Sequence, residues 1–325
     1  MTGGLYTQAT YGGLYSEGRF ALERANIPNA ALDARVLLQE ATHRRWAKLF
    51  DDEDEIAAPG EINAFNEMIA KRIARTPVAY IAGHKEFWSL DFKVTAATLI
   101  PRPESEHIIE RALKLVPKSA SGRALDLGTG SGCLIISLLR ERPGLAGLGV
   151  DLSSEALDVA RINAMRLGVA GRCSFAVSDW ASAVTGRFDI VIANPPYLSK
   201  AELAVAEPEL REHEPALALC PGTDDLAAYR AIAEALPKVL TPGGWAVVEI
   251  GAGQAQAVAE ILRSAGLDSI GISPDLAGLP RVVCARNPID DKGLSAPKKR
   301  LESAVQGANV SPGNDRPLGP MNGSI

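Results

Sequence analysis

The chain has 325 residues, 46% of them hydrophobic and 22% charged, with a formal net charge of −5. These proportions belong to a water-soluble globular protein with room for two domains, and they exclude a low-complexity chain. The acidic balance argues against broad, sequence-independent attachment to a phosphate backbone, and no apolar run is long enough to span a membrane.

Residues 1–16 carry the echo Gly3-Gly4-Leu5-Tyr6 and Gly12-Gly13-Leu14-Tyr15. Two short copies do not make a repeat architecture, so a flexible leader is expected. It lacks the basic segment and apolar core of a secretory signal. Residues 17–83 are rich in Ala and Leu at helical spacing, as in Ala31, Ala34, Arg35 and Leu38, and again in Ile62, Phe65, Ile69 and Ile73. Pro28-Asn29 and Ala58-Pro59-Gly60 punctuate them, which predicts a small helical bundle. Residues 84–103 alternate apolar and polar side chains from Phe87 to Val94 and read as a hairpin joining two domains.

From 104 to 286 apolar strands alternate with helical segments. The predicted strands are 124–127, 145–150, 173–177, 190–193, 245–250 and 281–285. That alternation predicts an α/β fold: a doubly wound, parallel-dominated sheet with helices on both faces. Residues 287–325 are rich in Pro, Gly and Ser with little apolar periodicity, and a disordered tail is expected there. The cysteines (Cys133, Cys173, Cys220, Cys284) form no close pair, which favours reduced thiols in a cytoplasmic protein. His43, His84, His107 and His213 show no ligand-like spacing, so no metal is expected.

The chemistry gathers at predicted strand tips. Leu125-Asp126-Leu127 runs into Gly128-Thr129-Gly130-Ser131-Gly132 and then a helical segment. Such a turn lets a ligand approach backbone N–H groups at a helix N-terminus, although a purely structural turn has the same residues. The spacing matches neither the dinucleotide fingerprint nor the Lys-ended phosphate loop. About twenty residues on, the next strand ends at Asp151, placed to grip a ribose diol or to cap the following helix. After the third strand, Asp179 could accept from an exocyclic amine and Trp180 could cover an adenine ring, or Trp180 could be core. Asn194-Pro195-Pro196-Tyr197 follows the apolar run 188–193. Proline ends a central strand and holds the residue before it extended. Asn194 therefore presents a carboxamide at the strand tip, beside the flat face of Tyr197, which is equipment for gripping a planar NH2 group. The acidic stretch 198–215 reads either as a solvated loop or as a surface that meets a basic partner. Gly251-Ala252-Gly253 reads as a structural turn.

Taken together, Asp126–Gly132, Val150-Asp151, Ser178-Asp179-Trp180 and Asn194–Tyr197 resemble the class I S-adenosylmethionine-dependent methyltransferases. Within that class the chain resembles the release-factor glutamine methyltransferases of the PrmC/HemK type. The resemblance covers about residues 20–286 and includes Asp33-Ala34-Arg35, Lys85-Glu86-Phe87-Trp88 and Glu214-Pro215-Ala216-Leu217. The run Ile100-Pro101-Arg102-Pro103-Glu104 separates this group from adenine-N6 methyltransferases, and from the sister family that modifies ribosomal protein L3.

The resemblance implies a Rossmann-like seven-stranded sheet, with the helical domain serving substrate recognition. It implies methyl transfer from S-adenosylmethionine to the glutamine amide of the Gly-Gly-Gln motif in peptide chain release factors. Gly128, Thr129, Gly130, Ser131, Gly132, Asp151, Asp179, Trp180 and Asn194 would hold the cofactor. Asn194, Pro195, Pro196 and Tyr197 would orient the amide, with neither nucleic acid nor membrane as partner. Two departures stand out: the family's usual Thr is Ser105, and a usual Gly-Gly-x-Asp-Gly-Leu segment reads Pro221–Leu226, expected near the substrate.

Overall fold

A computed structural model describes residues 9–275 and 277–289. The first domain consists of α1 (Tyr11–Arg24), α2 (Ala30–Thr42), α3 (Trp46–Asp51), α4 (Pro59–Ile73) and α5 (Val78–Ala82). Leu14, Leu22, Leu37, Leu38, Ile62, Phe65 and Ile69 form its core. Residues 11–16, expected in the leader, are instead the first turns of α1. Thr10 caps that helix by accepting the Gly13 N–H, and Tyr11 is buried with its hydroxyl on Glu61 at 2.9 Å. The aromatic anchor outweighs the low helix propensity of the paired glycines. Residues 1–8 of the expected leader lie outside the described residues. Gly18 of α1 leaves space for Phe65, whose Cζ would lie 2.5 Å from an added Cβ.

The α2 face is rotated from the expected one: Ala30, Asp33, Ala34, Leu37 and Leu38 are buried, whereas Ala31 and Arg35 are exposed. Asp33 tolerates burial because the Arg72 Nε donates to its Oδ2 at 2.7 Å. Ile73 is exposed, unlike Ile62, Phe65 and Ile69.

The expected hairpin is β1 (His84–Phe87) and β2 (Leu90–Lys93), antiparallel, with Trp88 and Ser89 both at positive φ in a two-residue turn. The second domain continues with α6 (Glu106–Leu115), β3 (Gly122–Leu127), α7 (Cys133–Glu141), β4 (Leu145–Asp151), α8 (Ser154–Arg166), β5 (Cys173–Val177) and β6 (Phe188–Ala193). It ends with α9 (Lys200–Val205), α10 (Pro208–His213), α11 (Ala216–Leu219), α12 (Ala227–Val239), β7 (Leu240–Glu249), α13 (Ala255–Ser264), β8 (Asp268–Pro274) and β9 (Pro280–Arg286). The seven-stranded sheet has the order β5-β4-β3-β6-β7-β9-β8, parallel through β7, with β9 antiparallel to both neighbours.

One core lies under α12 and α13, the other under α6, α7 and the hairpin aromatics Phe87 and Phe92. All six predicted strands are present. β8 was not predicted, since this edge strand buries none of its residues and carries no apolar run. The expected tail begins too early at 287: Asn287 exchanges backbone hydrogen bonds with Gly243 and Gly244 and belongs to the sheet domain. Residues 290–325 of that tail lie outside the described residues.

Candidate active site

β3 and β6 are neighbours, with Leu127 paired to Ala193, so the glycine loop and Asn194 emerge side by side at the carboxyl ends of the strands. β4 lies on the other side of β3, which makes this crevice the point where the winding of the sheet reverses and ligands bind. Gly128, Gly130 and Gly132 all have positive φ, at 74°, 54° and 80°. Gly132 is further required by packing, because an added Cβ would lie 2.9 Å from Ile136 Cδ1 and 3.2 Å from the Ala160 Cβ. The Gly130 N–H donates to Asp151 Oδ2 at 2.8 Å, and the Ser153 N–H donates to Oδ1 at 3.0 Å. The cap of α8 is Ser153, whose hydroxyl accepts from Ala156; Asp151 is not the cap.

Two cavities meet at this crevice. The first, about 420 Å³, is lined by Gly128, Gly130, Asp151, Asp179, Trp180, Asn194 and Pro196, among others. The second, about 480 Å³, lies toward the helical domain and is lined by Asn194, Pro195 and Tyr197 together with Arg102, Glu104 and Arg281. Asn194 is common to both. Its Nδ2 donates to the Ser105 Oγ at 2.9 Å. The other named loop residues do not line the first cavity and act from behind. Thr129 donates its hydroxyl to Asp126 Oδ2 at 2.7 Å, the Ser131 carbonyl accepts from Asn163 Nδ2 at 2.9 Å, and Gly132 is packed on α8. Asn163 also bonds both backbone groups of Lys93, so one buried amide ties the loop to the hairpin.

Asp126 is fully buried, and that burial pushes its carboxyl up to about 7, against the opposing Thr129 hydrogen bond. A folded-state pKa above the ordinary carboxylate range means that the native protein holds a proton the unfolded chain releases. Its contribution to stability is therefore full below the ordinary range and is lost as pH rises toward about 7. Denaturant midpoints measured from pH 4 to pH 8 should fall with rising pH, and Asp126→Asn should flatten that slope. An unchanged slope in the variant would assign the dependence elsewhere.

Glu249, the last residue of β7, is likewise buried and pushed up to about 7 by desolvation, opposed by the nearby Ser105 and Tyr197 hydroxyls. The Tyr197 hydroxyl donates to Glu249 Oε1 at 3.3 Å. Gly251 lies beneath the Tyr197 ring, where an added Cβ would meet Cδ2 at 3.1 Å, so this second glycine turn makes room for that ring.

The acidic stretch after Tyr197 is only partly the solvated loop that its composition suggests. Glu214 is buried: it accepts the Ile100 N–H at 3.0 Å and pairs with Arg102 Nη2 at 2.5 Å. Glu209 accepts from Arg72 Nη1 at 2.7 Å, bridging α10 to the helical domain. These pairings span more than a hundred residues, and their partners could not be read from local pattern. The Pro221–Leu226 departure was expected near the substrate, yet Cys220 and Pro221 line the first cavity. Thr98, Leu99 and Leu217 also line it, and no motif signalled Thr98 or Leu99.

Residues 14–83 match the PrmC N-terminal domain, and residues 110–214 match the Methyltransferase small domain. The catalytic domain of hMettl16 shares the fold at 16% identity, with a TM-score of 0.51 over 69% of this chain and 83% of that chain. The sheet, its glycine loop and the matched domain define a methyltransferase. A release factor glutamine methyltransferase of Rhodospirillum rubrum is 41% identical over 275 residues, 85% of this chain and 84% of the relative. One from Cereibacter sphaeroides is 46% identical over 82% of this chain and 95% of the relative. The chain belongs to the release factor glutamine methyltransferase family. Among the described residues, no helix is long and apolar enough to cross a membrane.

Proposed function

We propose that this chain transfers a methyl group from S-adenosylmethionine to the side-chain amide nitrogen of the glutamine in the Gly-Gly-Gln motif of peptide chain release factors. The observation that carries this reading is the position of Asn194 in the wall shared by the two cavities. The first cavity suits the cofactor. No atom lies within 4 Å of an added Cβ on Gly130, so a ligand can approach the backbone there. Asp151 has one N–H on each oxygen and keeps lone pairs for a ribose diol. Asp179 and Trp180 stand where an adenine amine and ring face would be met. When bound, S-adenosylmethionine supplies an electrophilic methyl on its sulfonium.

An amide nitrogen is a poor nucleophile because its lone pair is delocalised into the carbonyl. The work of this chain is therefore orientation. The Asn194 Oδ1 and the Pro195 carbonyl accept the two N–H bonds of the glutamine amide, which turns the lone pair toward the first cavity. Tyr197 covers the amide plane and excludes water, and Pro196 fixes the wall between the cavities. Such positioning can contribute several kcal/mol, with about 7–11 kcal/mol as the ceiling for ideal intramolecular geometry. The helical domain and α10 flank the second cavity and would present the release factor loop.

Asp151→Ala is expected to weaken S-adenosylmethionine binding by about 10- to 100-fold, the loss of hydrogen bonds to a charged acceptor. Turnover at saturating cofactor should change far less. Calorimetric titration of the cofactor checks this, and unaltered affinity would remove Asp151 from the binding set.

The substrate class is tested by incubating the protein and labelled S-adenosylmethionine with a release factor, its Gln-substituted form, ribosomal protein L3 and duplex DNA. Label on the unaltered release factor alone supports the reading. Label on DNA or L3, or label that survives the Gln substitution, overturns it.

A further inference from the structure

A carboxamide can be turned over. Rotation by half a turn exchanges its oxygen for its NH2, and an Asn194 facing the substrate with NH2 would repel the amide it must hold. The neighbours of Asn194 prevent that. Its Nδ2 donates to the Ser105 Oγ, in the short turn Pro103–Ser105 before α6. Glu249 lies at the tip of the strand paired with β6. Ala193 is level with Val248, so Asn194 and Glu249 occupy equivalent places on adjacent strands. Ser105 and Glu249 are both almost completely buried, and Glu249 Oε1 accepts the Tyr197 hydroxyl. Glu249 Oε2 is buried without a hydrogen-bond partner among the described residues. A buried carboxyl left partly unsatisfied is costly to keep unless something else requires it.

We infer that Ser105 is a positioning residue for methyl transfer: its hydroxyl holds the Asn194 NH2 and so turns the Asn194 oxygen toward the substrate. The Glu249 carboxyl holds the Tyr197 hydroxyl at the other end of the same run. Any hydroxyl at position 105 serves, which is why the departure from Thr to Ser at that position leaves the chain intact. This inference rests on the proposed role of Asn194.

The test compares Asn194→Ala, Ser105→Ala, Ser105→Thr and the Ser105→Ala/Asn194→Ala double variant. Steady-state methylation of a release factor, cofactor affinity by calorimetry and unfolding temperature are measured for each. Ser105→Ala should lower kcat about 10- to 100-fold, the scale of leaving the Asn194 NH2 unpaired, with cofactor affinity nearly unchanged. Ser105→Thr should restore turnover to within about threefold of the parent. The double variant should be no slower than the slower single one, since both break one contact. Ser105→Ala turning over like the parent, Ser105→Thr failing as Ser105→Ala does, or fully additive losses would each overturn the inference. If Asn194→Ala is itself silent, the parent reading falls with it. If Asn194→Ala is inactive and Ser105→Ala is not, only the positioning inference falls.

Discussion

Asn194→Ala is expected to reduce turnover about 10²–10³-fold while S-adenosylmethionine affinity changes by less than about tenfold. The asymmetry follows from where the side chain stands. Asn194 touches the first cavity at one edge, alongside Gly128, Gly130, Asp151, Asp179 and Trp180, which keep their places without it. On the second cavity, among the described residues, the strand-tip side chains beside it are Pro195 and Tyr197, and neither replaces a carboxamide acceptor. Loss of one preorganised acceptor in a water-poor site raises the barrier by about 3–4 kcal/mol. Single-turnover methylation at saturating cofactor gives the rate, and calorimetry gives the affinity. A variant that loses cofactor binding but turns over normally when saturated would reverse the assignment of roles.

Arg72→Met is expected to destabilise the protein by about 3–5 kcal/mol, the cost of breaking a buried pair from one side. Arg72 donates to Asp33 Oδ2 and to Glu209 Oε1, both at 2.7 Å, and its side chain is 7% exposed. Removing the guanidinium leaves Asp33 buried against α4 with no counter-charge. It also leaves Glu209 of α10 tied to the helical domain through Arg75 at 3.4 Å, a looser bridge, so KM for the release factor should rise even where the variant folds. The exposed pair Arg19–Glu23 provides the contrast, with side chains 51% and 42% exposed. Arg19→Ala should cost about 0.5 kcal/mol or less. Urea unfolding of the three proteins decides the matter, and equal midpoints for Arg72→Met and the parent would contradict the bridging role.

The parts legible in the sequence were those in which one segment carries its own meaning. Parallel strands buried on both faces appear as apolar runs, and the chemistry of an open sheet sits at their carboxyl ends. The glycine loop, Asp151, Asp179-Trp180 and Asn194 are therefore legible at strand tips from the sequence alone. Long-range pairings left no such trace. Arg72 meets Asp33 and Glu209, Glu214 meets Arg102, and Ser105 meets Asn194, over separations of 39 to 137 residues. The acidic stretch looked solvated because its partners lie in other elements. Thr129 and Ser131 sit within the motif, yet their roles depend on Asp126, which accepts the Thr129 hydroxyl, and on Asn163, which donates to the Ser131 carbonyl. Tyr11 and Leu14 were hidden in a Gly-rich echo, and β8 was missed because an edge strand needs no apolar run.

The central claim is that the nitrogen methylated is a glutamine amide held by Asn194. Tandem mass spectrometry of a release factor, after incubation with the protein and S-adenosylmethionine, addresses it most directly. The account predicts a single methyl increment on the glutamine of the Gly-Gly-Gln motif, borne on the side-chain nitrogen and absent with Asn194→Ala. A methyl on any other residue, or one that persists at full rate in Asn194→Ala, would contradict it.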